Sequence, residues 1–257
     1  MAGGNGCGAK ERAYERKTII GIKPKLPYAM EEAINRLRIN VSFFGDDIRK
    51  IMIVSSEPDE GKSLIAVNLW RQMARAQERS ILVDTDMRRS ILVDTYQISR
   101  EDGQELWGLT HYLSNYQDIG DCILTTGLKN GDILPNVNNV VNPSMLLESR
   151  RFSNLLDMLA KEYRYVFLDV PPLGLVSDGE RIGHLCAGAI LVVRGGVTPK
   201  SVIRNSMAQL ERAGCPLLGI VLNRVGAGSG RYYGRYYGKY YGKRYGNGYY
   251  SDKDYGR

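Results

Sequence analysis

Histidine and cysteine are scarce. Two His (His111, His184) and four Cys (Cys7, Cys122, Cys186, Cys215) stand among 257 residues, with no Cys-x-x-Cys pair and no His in zinc-ligand spacing. That absence disfavours a metal-cluster carrier, so the cysteines read as free thiols and the histidines receive no catalytic assignment. Long apolar runs are also missing. No stretch approaches the ~18 consecutive apolar residues a membrane-spanning helix needs, and the opening MAGGNGCGAKERAYERKTII has no apolar stretch of the signal-peptide kind. The sequence therefore predicts a cytoplasmic protein.

Hydrophobic residues make up 43% of the chain, enough for the core of one sizeable α/β domain with short appendages. The net charge of +7 would suggest a nucleic-acid partner if it were spread over the body. It is not: residues 231–257 hold seven Lys or Arg against two Asp, leaving +5 of the excess in that segment. No nucleic-acid partner is expected of the folded part.

Three regions follow from composition. Residues 1–27 are polar and Gly-rich and end in IKPKLP, where Pro24 and Pro27 oppose regular structure, so they read as a flexible arm. Residues 28–225 carry the domain. Met30, Ile34, Leu37 and Val41 recur at three- and four-residue steps, an apolar helical stripe. From Ile51 the runs IMIV, ILVD, YVFLDV, AILVV and LLGIVL alternate with helical stretches such as the one bearing Ile65, Leu69 and Met73. That alternation predicts a mostly parallel sheet with helices on both faces, in the manner of P-loop NTPases. Residues 226–257 are a Gly/Tyr/basic tract, without an aliphatic residue after Ala227, that cannot bury a core and reads as a flexible tail.

The segment IMIVSSEPDEGKSLIAVNLW runs from strand to tight turn to helix, the layout of a phosphate-binding loop. Backbone N–H groups of Glu57, Pro58's neighbours Asp59 and Glu60, and Gly61 to Leu64 would cradle phosphates. Lys62 would reach the outer ones, and the Ser63 hydroxyl would ligate magnesium. One departure from GxxxxGK[ST] is Ser56 in place of the first glycine. Two strands end in carboxylates: Asp84 and Asp86 in ILVDTD, and Asp169 in YVFLDVPP. Ligands of such sheets gather at the carboxyl ends of strands, so Asp84 and Asp169 are the expected partners of Ser63 around Mg2+ and ATP. The heptad RSILVDT occurs at 79–85 and again at 89–95, making Asp94 a rival to Asp84. Asp84 is preferred because it follows the loop helix after a connection of ordinary length and has Asp86 and Arg88 beside it. Asn223 and Arg224, at the end of the last strand, are candidates to border the base. Asp178 either belongs to the site or caps a helix.

Read together, SSEPDEGKS, ILVDTDMRR, YVFLDVPP and the terminal tyrosine cluster resemble the bacterial tyrosine kinases that govern capsule and exopolysaccharide synthesis, over roughly residues 30–257. The resemblance implies a Walker A motif at Lys62 and Ser63, a catalytic A′ motif at Asp84 and Asp86, and a Walker B aspartate at Asp169, with Asp84 as base for the tyrosine hydroxyl. It also implies assembly into a ring through an ExxRxxR helix, of which Glu32 and Arg38 are present while Asn35 replaces the middle arginine. A membrane protein would activate the kinase through its cytoplasmic end and recruit it to the inner face of the plasma membrane.

Tyr232, Tyr233, Tyr236, Tyr237, Tyr240, Tyr241, Tyr245, Tyr249, Tyr250 and Tyr255 crowd the tail, many in Tyr-Tyr-Gly units, and are the expected phosphorylation sites in trans. An isolated tract of this kind would instead suggest RNA binding or self-association. A partition or division-site switch ATPase of the same fold is the other alternative. Its signature lysine position holds Glu57 here, and no basic amphipathic C-terminal helix follows.

Overall fold

The computed structural model describes residues 26–225 and the backbone of Thr18–Ile19; the tail 226–257 and most of the arm lie outside the described residues. Strand β1 (Thr18–Ile19) precedes helix α1 (Tyr28–Ser42), β2 (Lys50–Ser55), α2 (Lys62–Arg75) and β3 (Ser80–Asp84). Short elements follow: α3 (Leu92–Tyr96), β4 (Ser99–Arg100), α4 (Leu109–Leu113), α5 (Ile119–Cys122), β5 (Leu124–Thr125), β6 (Gly131–Leu134) and α6 (Ser144–Leu147). The chain continues with α7 (Arg150–Glu162), β7 (Tyr165–Asp169), α8 (Asp178–Gly183), β8 (Gly188–Arg194), α9 (Lys200–Arg212) and β9 (Leu217–Asn223).

Seven strands form one sheet in the order β5-β6-β3-β7-β2-β8-β9, parallel except for β5. Side chains alternate between two cores, as a strand period of two requires. Ile51, Ile53, Leu82, Tyr165 and Phe167 face one side with Trp70, Leu69 and Met73 of α2 and Ile34 and Val41 of α1. Met52, Val54, Ile81, Val83, Val166 and Leu168 face the other, against Phe152, Leu155, Leu156 and Leu159 of α7 and Leu210 of α9. Both faces are covered, which is why the central strands read as continuous apolar runs rather than alternating ones.

The helical stripe expected from Met30 to Val41 is α1. It begins after Pro27, whose carbonyl accepts from Met30 and Glu31 N–H at 2.8 and 3.0 Å. The repeated heptad takes two conformations. Its first copy is β3, buried throughout, while the second begins as loop and becomes the short helix α3, with Asp94 exposed. Neighbours decide this: Ser80–Asp84 pairs with β6 and β7 on both sides, an option the second copy lacks. Cys122, Cys186 and Cys215 are buried and form no disulfide; burial holds Cys186 and Cys215 protonated, the latter up to about 11. Among the described residues no helix is long and apolar enough to cross a membrane.

Phe167 is fully buried and stacks on Tyr165 with ring centroids 5.8 Å apart, whereas Ile220 on the edge strand β9 is 43% exposed. Phe167→Ala is expected to cost about 3–5 kcal/mol and Ile220→Ala under about 1 kcal/mol in urea unfolding, with little change in m-value.

Candidate active site

Parallel pairing of β3 with β7 sets Asp84 directly opposite Asp169, so two carboxylates end neighbouring strands on the same edge of the sheet. β2 lies on the other side of β7 and feeds the loop 56–61, which delivers Lys62 to the same edge. Lys62 Nζ donates to Asp86 Oδ2 at 3.1 Å and Asp169 Oδ1 at 3.4 Å, and lies 3.4 Å from Ser63 Oγ. Asp84 receives the Ser90 hydroxyl on Oδ2 at 2.5 Å and the Asp86 N–H on Oδ1 at 3.1 Å. Asp86 Oδ1 accepts from Arg89 N–H at 3.1 Å. Thr85 ties the two strand ends together, donating N–H and hydroxyl to the Asp169 carbonyl at 2.9 and 2.7 Å.

Three carboxylates thus surround one ammonium where water is nearly excluded; Asp84, Asp86 and Asp169 are 0%, 6% and 1% exposed. Burial, then the charge of Asp169, pushes the Asp84 carboxyl up to about 8 against the opposing pull of Ser90 and Lys62. Burial likewise raises Asp169, with Lys62 and Ser63 opposing. Desolvation would lower Lys62, but Asp169 and Asp86 outweigh it and hold the ammonium above its ordinary value. With all three carboxylates ionised the cluster would carry an excess negative charge, which a divalent cation would neutralise. No group of three or more His, Cys, Asp or Glu among the described residues is arranged to hold a metal unaided. Oxygen donors from Ser63, Asp84 and Asp169 suit Mg2+, which ordinarily takes its remaining ligands from water and phosphate.

The loop is preorganised by its own acidic residue. Glu60, 2% exposed, turns inward: Oε2 accepts the Ser56 and Glu57 N–H groups at 2.8 and 2.9 Å, and Oε1 accepts from Arg194 N–H at 3.1 Å and from the Thr198 hydroxyl. Ser56, standing where a glycine was expected, is fully buried; its hydroxyl accepts from Ser206 at 2.9 Å. Gly61 has φ +92°, and a Cβ there would lie 2.1 Å from Asn223 Nδ2. That amide donates to the Glu60 carbonyl at 2.8 Å, so Asn223 clamps the turn from the end of β9. Glu57, Pro58 and Asp59 form the exposed tip, Leu64 sits on the outer face of α2, and Arg224 is exposed beside Asn223.

Several contacts of the site could not be read from the sequence. Asp178 is 1% exposed and grips Arg88 through two contacts at 2.6 and 3.2 Å, fastening the segment after β3 to the start of α8. Ser90, which holds Asp84, lies in the second heptad copy that seemed purely repetitive. Glu60 looked like a backbone contributor, and only the fold shows its carboxylate folded back. Glu32 and Arg38 lie on α1, away from this cluster, with Arg38 Nε donating to Asn35 at 3.0 Å.

Comparison with known proteins gives one family model, an AAA domain matched over residues 48–180. The chain is 32% identical over 210 residues to the tyrosine-protein kinase CpsD of Streptococcus agalactiae serotype III (strain NEM316), covering 82% of this chain and 89% of that protein. Among solved structures it is similar to the chimerical protein CapA2B2, with a TM-score of 0.70 and 32% identity over 79% of this chain and 87% of that one. The septum site-determining protein MinD of Pyrococcus horikoshii, solved with Mg-ADP, shares the fold at a TM-score of 0.60 and 24% identity, covering 70% of this chain and 72% of that one.

Two outcomes follow from the geometry. In metal-free buffer the folded protein holds a proton on Asp84 up to about pH 8, whereas the unfolded carboxyl releases it near its ordinary value of 3.8. The native state therefore binds more protons between these limits, and stability falls as pH rises through that window. Asp84→Asn should flatten the slope and raise the neutral-pH thermal midpoint by about 3–6 °C. Glu60→Ala strands the Ser56 and Glu57 N–H groups and should lower stability by about 2–3 kcal/mol in denaturant titration.

Proposed function

Because this chain belongs to the bacterial tyrosine-protein kinases and carries their AAA domain, we propose that it transfers the γ-phosphoryl of Mg-ATP to tyrosines 232–255 of a neighbouring copy and so regulates capsule or exopolysaccharide synthesis and export. The observation that carries the site assignment is the convergence of Lys62, Ser63, Asp84, Asp86 and Asp169 at one sheet edge. Residues 28–225 form the kinase domain in this reading, 1–27 the arm and 226–257 the substrate tail.

Mg-ATP, when bound, supplies the phosphoryl group and the cation that balances the carboxylates. Loop N–H groups from Asp59 to Leu64 and the amino end of α2 hold the phosphate oxygens. Lys62 stabilises charge on the transferred group, while Ser63, Asp84 and Asp169 provide oxygens for the cation. Asp84, at the end of β3 directly opposite Asp169, accepts the proton of the tyrosine hydroxyl as its oxygen bonds to phosphorus and the bond to the departing ADP breaks. Asp86 restrains Lys62 and, through Arg89 N–H, the following loop. Asn223, which clamps the loop, and the adjoining Arg224 border the nucleotide.

Each phosphate adds about −1.5 to −2 charges, so three or four would cancel the tail's excess. That reversal supports a switch in assembly through α1, with Glu32 and Arg38 at the subunit contact of a homo-oligomeric ring. The protein acts in the cytoplasm in this reading, recruited to the membrane by an activator with a cytoplasmic segment. A division-site switch ATPase is the weaker reading, its solved example resembling this chain at lower identity than the kinase relatives.

Peptide mass spectrometry of the full chain with Mg-ATP, the activating segment included, tests the proposal. Phosphotyrosine within 232–255 is expected in the wild type and not in Lys62→Met alone, and the wild type should phosphorylate added Lys62→Met protein. ATP consumption without phosphotyrosine would contradict it.

A further inference from the structure

A cavity of about 390 Å³, within the range of small-ligand pockets, lies outside the phosphate cluster; Glu105, Trp107, Thr110, His111, Tyr116 and Asn138 line it. Three of its walls are aromatic. Trp107 meets His111 edge-on at 5.0 Å between centroids and Tyr116 at 5.4 Å. His111 is fixed in place, its Nδ1 accepting the Gly108 N–H at 3.1 Å and its Nε2 lying 2.9 Å from the Asn138 amide. Thr110 packs beneath these rings, 4% exposed. Aromatic walls with a carboxylate at the rim are the complement of a ring that carries a polar group.

The cavity is joined to the carboxylate cluster by short links. Val140 N–H donates to the Met87 carbonyl at 2.8 Å, and Ser90 N–H donates to Asn139 Oδ1 at 3.0 Å. Ser90 is the residue whose hydroxyl holds Asp84. Glu105 supplies the carboxylate of the rim, in a stretch, residues 101–121, that contains no Lys or Arg.

We propose that this cavity is a docking subsite for a tail tyrosine of a second copy of the chain, holding one ring of a Tyr-Tyr-Gly unit while another tyrosine is presented to Asp84. The proposal rests on the tyrosine-kinase reading for its substrate. Residues 231–257 have the opposite charge to the rim, +5, and alternate rings with Arg and Lys. Those side chains would meet the Glu105 carboxylate and the exposed face of Tyr116, where cation–π contacts add to the attraction. Thirty-two residues follow Val225, a reach on the order of 100 Å when extended, so a neighbouring molecule's pocket is accessible to them.

The test uses the full chain and a peptide of residues 231–246. Tyr116 and Glu105 are exposed and neither touches Lys62 or Asp84 in the hydrogen bonds of the cluster, so Tyr116→Ala/Glu105→Lys should fold with an unchanged thermal midpoint. It should raise the KM for peptide phosphorylation at least ~tenfold while kcat stays within about twofold. Trp107 is one of two tryptophans, and the other, Trp70, is buried in the core. Peptide binding without nucleotide should therefore change tryptophan emission in the wild type and in Lys62→Met, with an affinity ~tenfold weaker in the double variant. Unchanged KM and affinity in that variant, or equal binding of a peptide with leucine at every tyrosine, would overturn the subsite. Peptide binding at Trp107 without any phosphotransfer by the wild type would leave the subsite standing and sink the kinase reading instead.

Discussion

Everything at the working edge of this domain depends on the encounter of Lys62 with three buried carboxylates. One ammonium cannot neutralise Asp84, Asp86 and Asp169 in a site where each is at most 6% exposed. In isolation the excess costs stability, because a buried carboxylate without a full partner either takes up a proton or repels its neighbours. The scaffold tolerates this through strand register: Asp84 and Asp169 are held opposite each other by the ladder between β3 and β7, with fully buried apolar residues behind them on both faces. Rigid elements impose what the local electrostatics oppose, which is how a binding site is expected to differ from the rest of a fold.

The loop that carries Lys62 shows a second balance of the same kind. A glycine at position 56 would have allowed a freer turn; Ser56 instead lies in the core, and the turn is fixed by Glu60 accepting N–H groups from its own loop and from Arg194. Within the loop, Asp59 and Gly61 take positive φ. Asn223, reaching across from β9, seats against Gly61 so closely that a methyl group there would collide. Strand, loop and last strand are therefore one mechanical unit. A perturbation of the Arg194–Thr198 turn would be felt through Glu60 at the Ser56 and Glu57 N–H groups.

Much of this was legible in the residues. Apolar runs buried on both faces identify central parallel strands by length and by their β-branched content, and the carboxylates closing two of them mark the ligand edge. The stripe on α1 and the Gly-Lys-Ser at the start of α2 are equally local signals. What stayed hidden depends on long-range contacts. The two RSILVDT copies are chemically the same, and only pairing with β6 and β7 makes the first a strand, while the second contributes Ser90 to the first copy's Asp84. Arg88 and Asp178 are ninety residues apart, a separation no periodicity reports. The short strands β4, β5 and β6 are too brief to impose a pattern. The aromatic cavity near Trp107 joins residues of α4 to a loop after β6, and so exists only in three dimensions.

Magnesium dependence of nucleotide affinity, measured by calorimetry on the full chain at neutral pH, tests the central claim most directly. If the unbalanced carboxylates around Lys62 are the organising feature, ADP with Mg2+ should bind about 100-fold or more tightly than ADP in chelator, a difference of roughly 2.7 kcal/mol. Equal affinity in the two conditions would mean that the carboxylate cluster is not built around a divalent cation, and the account would fail.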